Sequence, residues 1–265
     1  LHGILRDNKE LRLSGGHQEH ISFEIASVNG QIRFYVWVPK TLQSFVEGQI
    51  YSQYPTVQIH QADEDYTEHE RDHEVAYSTE LALTTDEFLP IRTFQNFEVD
   101  PLAGITGTLA KLETTGEELW IQVLVRPIPD DWQNAADRYI NSIRNGRMFS
   151  LPGFGGSMQW LIGVLGALWQ PPEQGANQST AVELSDRDKT RISEAEKKAT
   201  KLGYEVKIRL VYMGESQTNA KLRMQALVGT FKQFNSTNLN GFRATKGMFG
   251  KEFIDKYRKR SFIGD

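Results

Sequence analysis

The chain predicts an α+β fold of ferredoxin-like ββαβ-type units, duplicated, with an apolar helical insertion. Two observations carry the duplication. Twice along the first half, a pair of β-patterned runs is followed by a helical stripe and one further run, and turn-forming residues punctuate both series. A third observation, an uncharged glycine-rich stretch at 149–170 that fits neither period, predicts the insertion. A chain of 265 residues with 39% hydrophobic and 24% charged side chains has the composition of ordinary globular domains. Its mean hydropathy of -0.48 argues against a polytopic membrane protein.

In the first series, residues 23–28, the turn Asn29-Gly30 and residues 32–38 read as a β-hairpin, because Asn-Gly between β-rich runs suits a tight two-residue turn. Pro39 closes the second strand. Leu42, Phe45, Val46 and Ile50 then mark a helix over 41–54, and residues 56–60 after Pro55 read as a short strand. The second series begins with an alternating run at 75–83 and a shorter one at 89–94. Asp100-Pro101 supplies a helix cap and first-turn proline ahead of Leu102, Ile105, Leu109 and Leu112, and residues 118–126 form a strong strand ended by Pro127 and Pro129.

Asp130 and Asp131 open a helix to about residue 145, with Trp132, Ala136, Tyr139 and Ile143 at helical spacing. Beyond the breaker-rich linker 171–180, the pattern gives a charged helix at 185–202, a strand at 205–213 and a helix at 216–234. The strand at 205–213 resembles that at 118–126, and pairing of the two in one sheet would make 149–180 an excursion out of it. The expected organisation is therefore a first ββαβ unit with an acidic loop (1–74), a second ββαβα unit (75–148), the apolar segment and linker (149–180), an αβα unit completing the second sheet (181–240) and a basic tail (241–265).

The apolar stretch has about a dozen strongly helical residues, short of the roughly 20 that a membrane span needs. Phe154, Trp160, Leu161, Leu165 and Trp169 are its candidate contacts, with lipid, with another subunit or with the rest of the fold. Charge is uneven around a net -4: Asp63, Glu64, Asp65, Glu68, Glu70, Asp72 and Glu74 crowd one stretch, and Lys251, Lys256, Arg258, Lys259 and Arg260 another. Both are expected to be solvated. Arg243, Lys246, Lys251, Lys256, Arg258, Lys259 and Arg260 interleave with Phe242, Phe249, Phe253 and Tyr257, a pattern suited to nucleic acid or an acidic partner.

Catalytic signatures are sparse. Without cysteine, disulfides, thiolate metal sites and cysteine nucleophiles are excluded. His69-Glu70-Arg71-Asp72-His73 spells a zinc-binding H-E-x-x-H, but its acidic flanks and lack of an apolar stripe predict a solvated loop without metal. His17 and His20 sit in a loop-like start. No G-x-S-x-G elbow occurs, and neither the glycines at 153–156 nor Lys246 to Lys251 complete a phosphate-cradling G-x-x-x-x-G-K-[ST] loop. The expectation is a non-enzyme with no cofactor.

Residues 23–28 (FEIASV), 34–39 (FYVWVP), 45–55 (FVEGQIYSQYP), 100–105 (DPLAGI), 227–235 (LVGTFKQFN) and 238–240 (NLN) resemble, in order, the N-terminal region of bacterial type IV secretion or conjugative DNA-transfer proteins. The resemblance implies a region preceding a P-loop motor domain, so that this chain is a fragment and the basic tail hands over to the motor. It implies a non-catalytic scaffold that docks the motor at the inner face of the bacterial cytoplasmic membrane or in a homo-oligomer. The expected partners are the motor domain or other secretion subunits, with lipid and DNA as further candidates. Two other readings stay open: a stand-alone structural subunit and a nucleic-acid-binding module.

Overall fold

The computed structural model describes residues 2–7, 9–10, 18–68, 73–112, 116–145 and 184–262. Among them are the strands β1 (Ile21–Val28), β2 (Gln31–Trp37), β3 (Val75–Leu83), β4 (Glu118–Pro127), β5 (Tyr204–Gly214), β6 (Phe242–Ala244) and β7 (Met248–Phe249). The α-helices are α1 (Gln43–Gln53), α2 (Pro101–Ala110), α3 (Asp131–Arg144), α4 (Asp186–Ala199), α5 (Gln217–Phe231) and α6 (Glu252–Arg258). The fold is mixed α+β, and every strand pairing in its seven-stranded sheet is antiparallel.

Local chemistry sets the element ends. Asn29 and Gly30 both take positive φ (51° and 73°), the conformation that a tight two-residue hairpin turn demands, and they join β1 to β2 in the register Val28↔Gln31. The Asp100 carboxylate accepts from the Leu102 N–H and caps α2 with Pro101 behind it, while Ser185 and Ser216 cap α4 and α5 in the same way.

The strand order is β2-β1-β4-β5-β3-β6, and β7 lies beside the other half of β3. From β3 onward the chain runs β3-α2-β4-α3-α4-β5-α5-β6, with β5 lying between β3 and β4 in the sheet, and the β1–β2 hairpin extends the sheet beyond β4. Two expected strands are not strands. Residues 56–60 form a turn and coil after α1, and 89–94 is irregular, entering a short 3-10 helix at Phe94–Asn96. Leu89 is fully buried, but as a loop plug whose carbonyl accepts from the Asn240 side-chain amide, so its apolar signal reflected burial and not pairing.

Alternation along the strands sorts the core into two layers. On one face Leu119, Ile121, Ile208, Leu210 and Tyr212 pack beneath Ile105 and Leu109 of α2 and Ala220, Met224, Leu227 and Phe231 of α5. On the other, Ala26, Trp120, Val211 and Met213 pack against Tyr66 and against Phe253, Ile254 and Tyr257 of α6.

The chain divides into two compact units, residues 1–130 with 202–265, and residues 131–201. In the second, α3 and α4 pack together, Ala136, Tyr139, Ile140, Ile192 and Ala195 are buried, and Arg144 pairs with Glu196. The apolar stretch 149–170 lies outside the described residues.

Leu210, fully buried at the sheet centre, is the sharpest test of the first layer. Leu210→Ala is expected to lower unfolding stability by about 2–5 kcal/mol, read from the midpoint and slope of urea denaturation.

Candidate functional site

The densest assembly of functional side chains lies between the sheet and the C-terminal segment. The registers of β2, β1, β4, β5 and β3 align Tyr35, Glu24, Gln122, Arg209 and Glu80 in one row across the sheet. These polar side chains occupy the face otherwise built from Ala26, Trp120 and Val211. Glu24, Gln122 and Arg209 are buried, and an ionised or amide group there demands a full set of partners.

The partners come from the 60s loop and the chain's end. Arg260 meets Glu24 with both prongs of its guanidinium, Nε to Oε1 at 2.8 Å and Nη2 to Oε2 at 3.0 Å, and reaches Asp65 Oδ2 at 2.6 Å. Glu24 also accepts from Ser22 Oγ (2.6 Å), Tyr66 Oη (2.8 Å) and Gln122 Nε2 (3.0 Å). Tyr66 and Tyr257 share a hydroxyl contact at 2.9 Å, and Gln122 donates to the Tyr257 carbonyl. Arg209 bridges Glu80 at 2.9 Å to the carbonyls of Lys256 and Ser261. Each charge faces an opposite one, and the remaining donors close on the backbone of the segment that covers them.

Arg260 adopts φ 48°, rare for a side chain with a Cβ; it ends α6 and turns its side chain into the sheet. Its backbone N–H donates to the Tyr257 carbonyl, and its own carbonyl accepts from His20 Nε2 at 2.6 Å. His20 stacks on Trp37 and meets Phe262 edge-on, both with centroids 5.2 Å apart.

These surroundings reshape acidity. Burial and the neighbouring hydroxyl and carboxylate groups push the Tyr66 phenol well up, and Tyr257 follows, through burial and then Glu24. Burial would raise the Asp65 carboxyl, but the Arg260 guanidinium and the Thr67 N–H and hydroxyl outweigh it and hold the group below its ordinary range. Burial lowers His20, with Arg126 and Arg209 adding to the effect against the Arg260 carbonyl. Glu24 and Asp65 both meet the Arg260 guanidinium, so the arrangement's chemistry is mutual neutralisation that fastens the C-terminal segment to the sheet.

The candidate residues named from sequence separate accordingly. The basic tail is not uniformly solvated: Arg260 is buried, Lys256 and Arg258 are half-buried, and Arg258 donates to the Thr67 carbonyl. Asp65 of the acidic stretch is the partner of Arg260, so the two charge runs meet in part. Their attraction was not evident from positions 195 residues apart. Arg243, Lys246, Lys251 and Lys259 are exposed. Phe154, Trp160, Leu161, Leu165 and Trp169 lie outside the described residues, as do His17 and His69 to Asp72 of the H-E-x-x-H stretch. His73 lies 3.7 Å from Glu118, and no group of three His, Asp or Glu among the described residues is placed to hold a metal ion.

Glu24, Gln122, Arg209 and Tyr66 escaped the sequence reading. A signal existed for Glu24, the lone charge of the strand ISFEIASV, whereas Arg209 shares the strand YEVKIRLVYMG with Glu205 and Lys207. Isolated charges in a buried strand require partners from elsewhere in the chain.

Arg260→Met is expected to cost about 3–5 kcal/mol because it leaves Glu24 buried against no cation, and Glu24→Leu with Arg260→Met to recover part of that loss, both by chemical denaturation. His20 binds a proton less readily folded than unfolded, so stability is expected to decline as pH falls from about 7 to 5, through the unfolded imidazole's range. In His20→Phe that slope should disappear. A second decline is expected below about pH 4, where Asp65, whose folded carboxyl is more acidic than the unfolded one, takes up its proton. Denaturation midpoints across that range check both.

Comparison with known proteins adds a family without a function. No curated protein matches the chain, and no solved structure does. A family model described as a domain of unknown function (DUF8128) matches residues 3–262, and the chain belongs to that family.

Proposed function

We propose that this chain is a non-catalytic docking and scaffold domain that self-associates through the free edge of its sheet. The observation that carries the reading is β2. Among the described residues it is the last strand on its side of the sheet, and on its α2 and α5 face Phe34 and Val36 are apolar and exposed, at 62% and 41%. Phe23, beside Val36 in register, is 40% exposed, and Val206 extends the apolar surface on the same face.

Edge strands with free backbone groups pair with other strands, and β2 is self-complementary. Antiparallel pairing of two copies about Phe34 sets Ile32 opposite Val36, giving one apolar row, and on the other face sets Arg33 opposite Tyr35. No like charges oppose each other, and a two-fold contact of this kind closes as a dimer. The buried charges of the row complement this reading, because Glu24 and Arg209 are engaged with residues 256–261.

The connectivity from β3 to β6 supports a ferredoxin-like βαββαβ unit. Membership of a conjugative DNA-transfer or type IV secretion assembly rests on the motif resemblance alone, as does a position at the inner face of a membrane. Among the described residues no helix is long and apolar enough to cross one.

Sedimentation equilibrium across the micromolar range is expected to show a concentration-dependent dimer for the native chain and a monomer for Phe34→Asp, Val36→Asp, with matching circular-dichroism melts. A native chain that stays monomeric throughout would remove the proposal.

A further inference from the structure

The opposite edge of the sheet carries a different surface. Strands β6 and β7 both pair with β3, and residues 243–251 between and around them read RATKGMFGK, with three cations and no acid. Arg243, Lys246 and Lys251 are exposed, and none of them forms an ion pair among the described residues. Lys221 of α5 joins them, its ammonium 5.7 Å from the centre of the Phe249 ring. Glu80, the carboxylate on β3 in this region, is engaged by Arg209 and so does not neutralise the strip. Glu252, at the start of α6, is the acidic residue that bounds it.

Met248 and Phe249 stand exposed among these cations, at 51% and 41%. Phe249 rests on Tyr77, with ring centroids 4.6 Å apart, and so presents a supported aromatic surface. The strip is fixed along its length: the Thr245 N–H donates to Glu80, the Gly250 N–H to Ala76, and the Ser78 hydroxyl reaches the Met248 carbonyl. Gly247 lies so close to Tyr77 that a Cβ would fall on the phenol oxygen, so a larger residue here would displace the Tyr77 ring. Phe249 and Lys221 face the α5 side, and Arg243 and Met248 the α6 side, so the positive charge wraps the edge.

We propose that this edge binds single-stranded nucleic acid. Unneutralised cations spaced along an extended backbone attract successive phosphates, and Phe249 with Met248 offers unpaired bases a surface on which to stack. A duplex hides its base faces and needs an element that enters a groove, which a flat sheet edge does not provide. Anionic lipid would call for a broader apolar face than one aromatic ring and one thioether. The proposal uses residues on the far side of the sheet from β2, so dimerisation and nucleic-acid binding can each fail without the other.

The test is fluorescence anisotropy with a labelled thymidine oligonucleotide of about twenty nucleotides, titrated at several salt concentrations. Three or four phosphate contacts predict a log–log salt slope of about -2 to -3 for a single strand. Lys246→Glu, Lys251→Glu is expected to weaken binding more than tenfold, and Phe249→Ala roughly tenfold, while Lys40→Glu, an exposed cation outside the strip, leaves it unchanged. Circular-dichroism melts confirm that each variant is folded. The proposal is overturned if no salt-dependent binding occurs, if the double charge reversal binds as the native chain does, if duplex of the same length competes equally, or if phosphatidylglycerol vesicles are bound and the oligonucleotide is not.

Discussion

A carboxylate buried against a β-sheet is a severe constraint, and Glu24 imposes it here. Without a cation its burial would destabilise the sheet by about 3–5 kcal/mol. Arg260 lies 236 residues away in sequence and supplies that cation with a two-pronged contact. To do so the chain end must return across the sheet, α6 must present Phe253, Ile254 and Tyr257 to Trp120 and Val211, and the 60s loop must bring Tyr66 and Asp65 alongside. Much of the second core layer exists on these terms.

The same requirement ties the sheet's two halves together. The row Tyr35, Glu24, Gln122, Arg209 and Glu80 crosses five strands, and Arg209 carries it from Gln122 to Glu80 while gripping the carbonyls of Lys256 and Ser261. The β1–β2 hairpin and the strands β4, β5 and β3 therefore share one buried polar network beneath one covering segment. Such a network favours a single register, because a slip by one residue would move each of these groups to the apolar face under α2 and α5.

The interior charges face one another, and both proposals turn on the margins of the sheet. Among the described residues one edge, β2, is unpaired on its outer side and exposes Phe34 and Val36; the other, β6 and β7 along β3, is short and basic. Edges of contrasting chemistry suit a domain that joins like to like on one side and an anionic chain on the other, which is the combined sense of the two proposals.

The sequence by itself determined most elements, because their signals are local: Asn29-Gly30 forces a hairpin, Asp100-Pro101 and Ser216 cap helices, and alternating runs at 75–83, 118–126 and 205–213 are strands wherever they pair. It failed at 56–60, which is turn and coil, and at 89–94, where the apolar signal came from Leu89 buried in a loop, and at 242–249, too short to announce strands at all. It also showed two charge runs without showing that Asp65 and Arg260 would meet. Strand order, the join of the chain's end to its first strand and the burial of Glu24 were decided only in the tertiary structure. They depend on contacts between residues far apart in sequence, and no local periodicity encodes which distant charge will neutralise which.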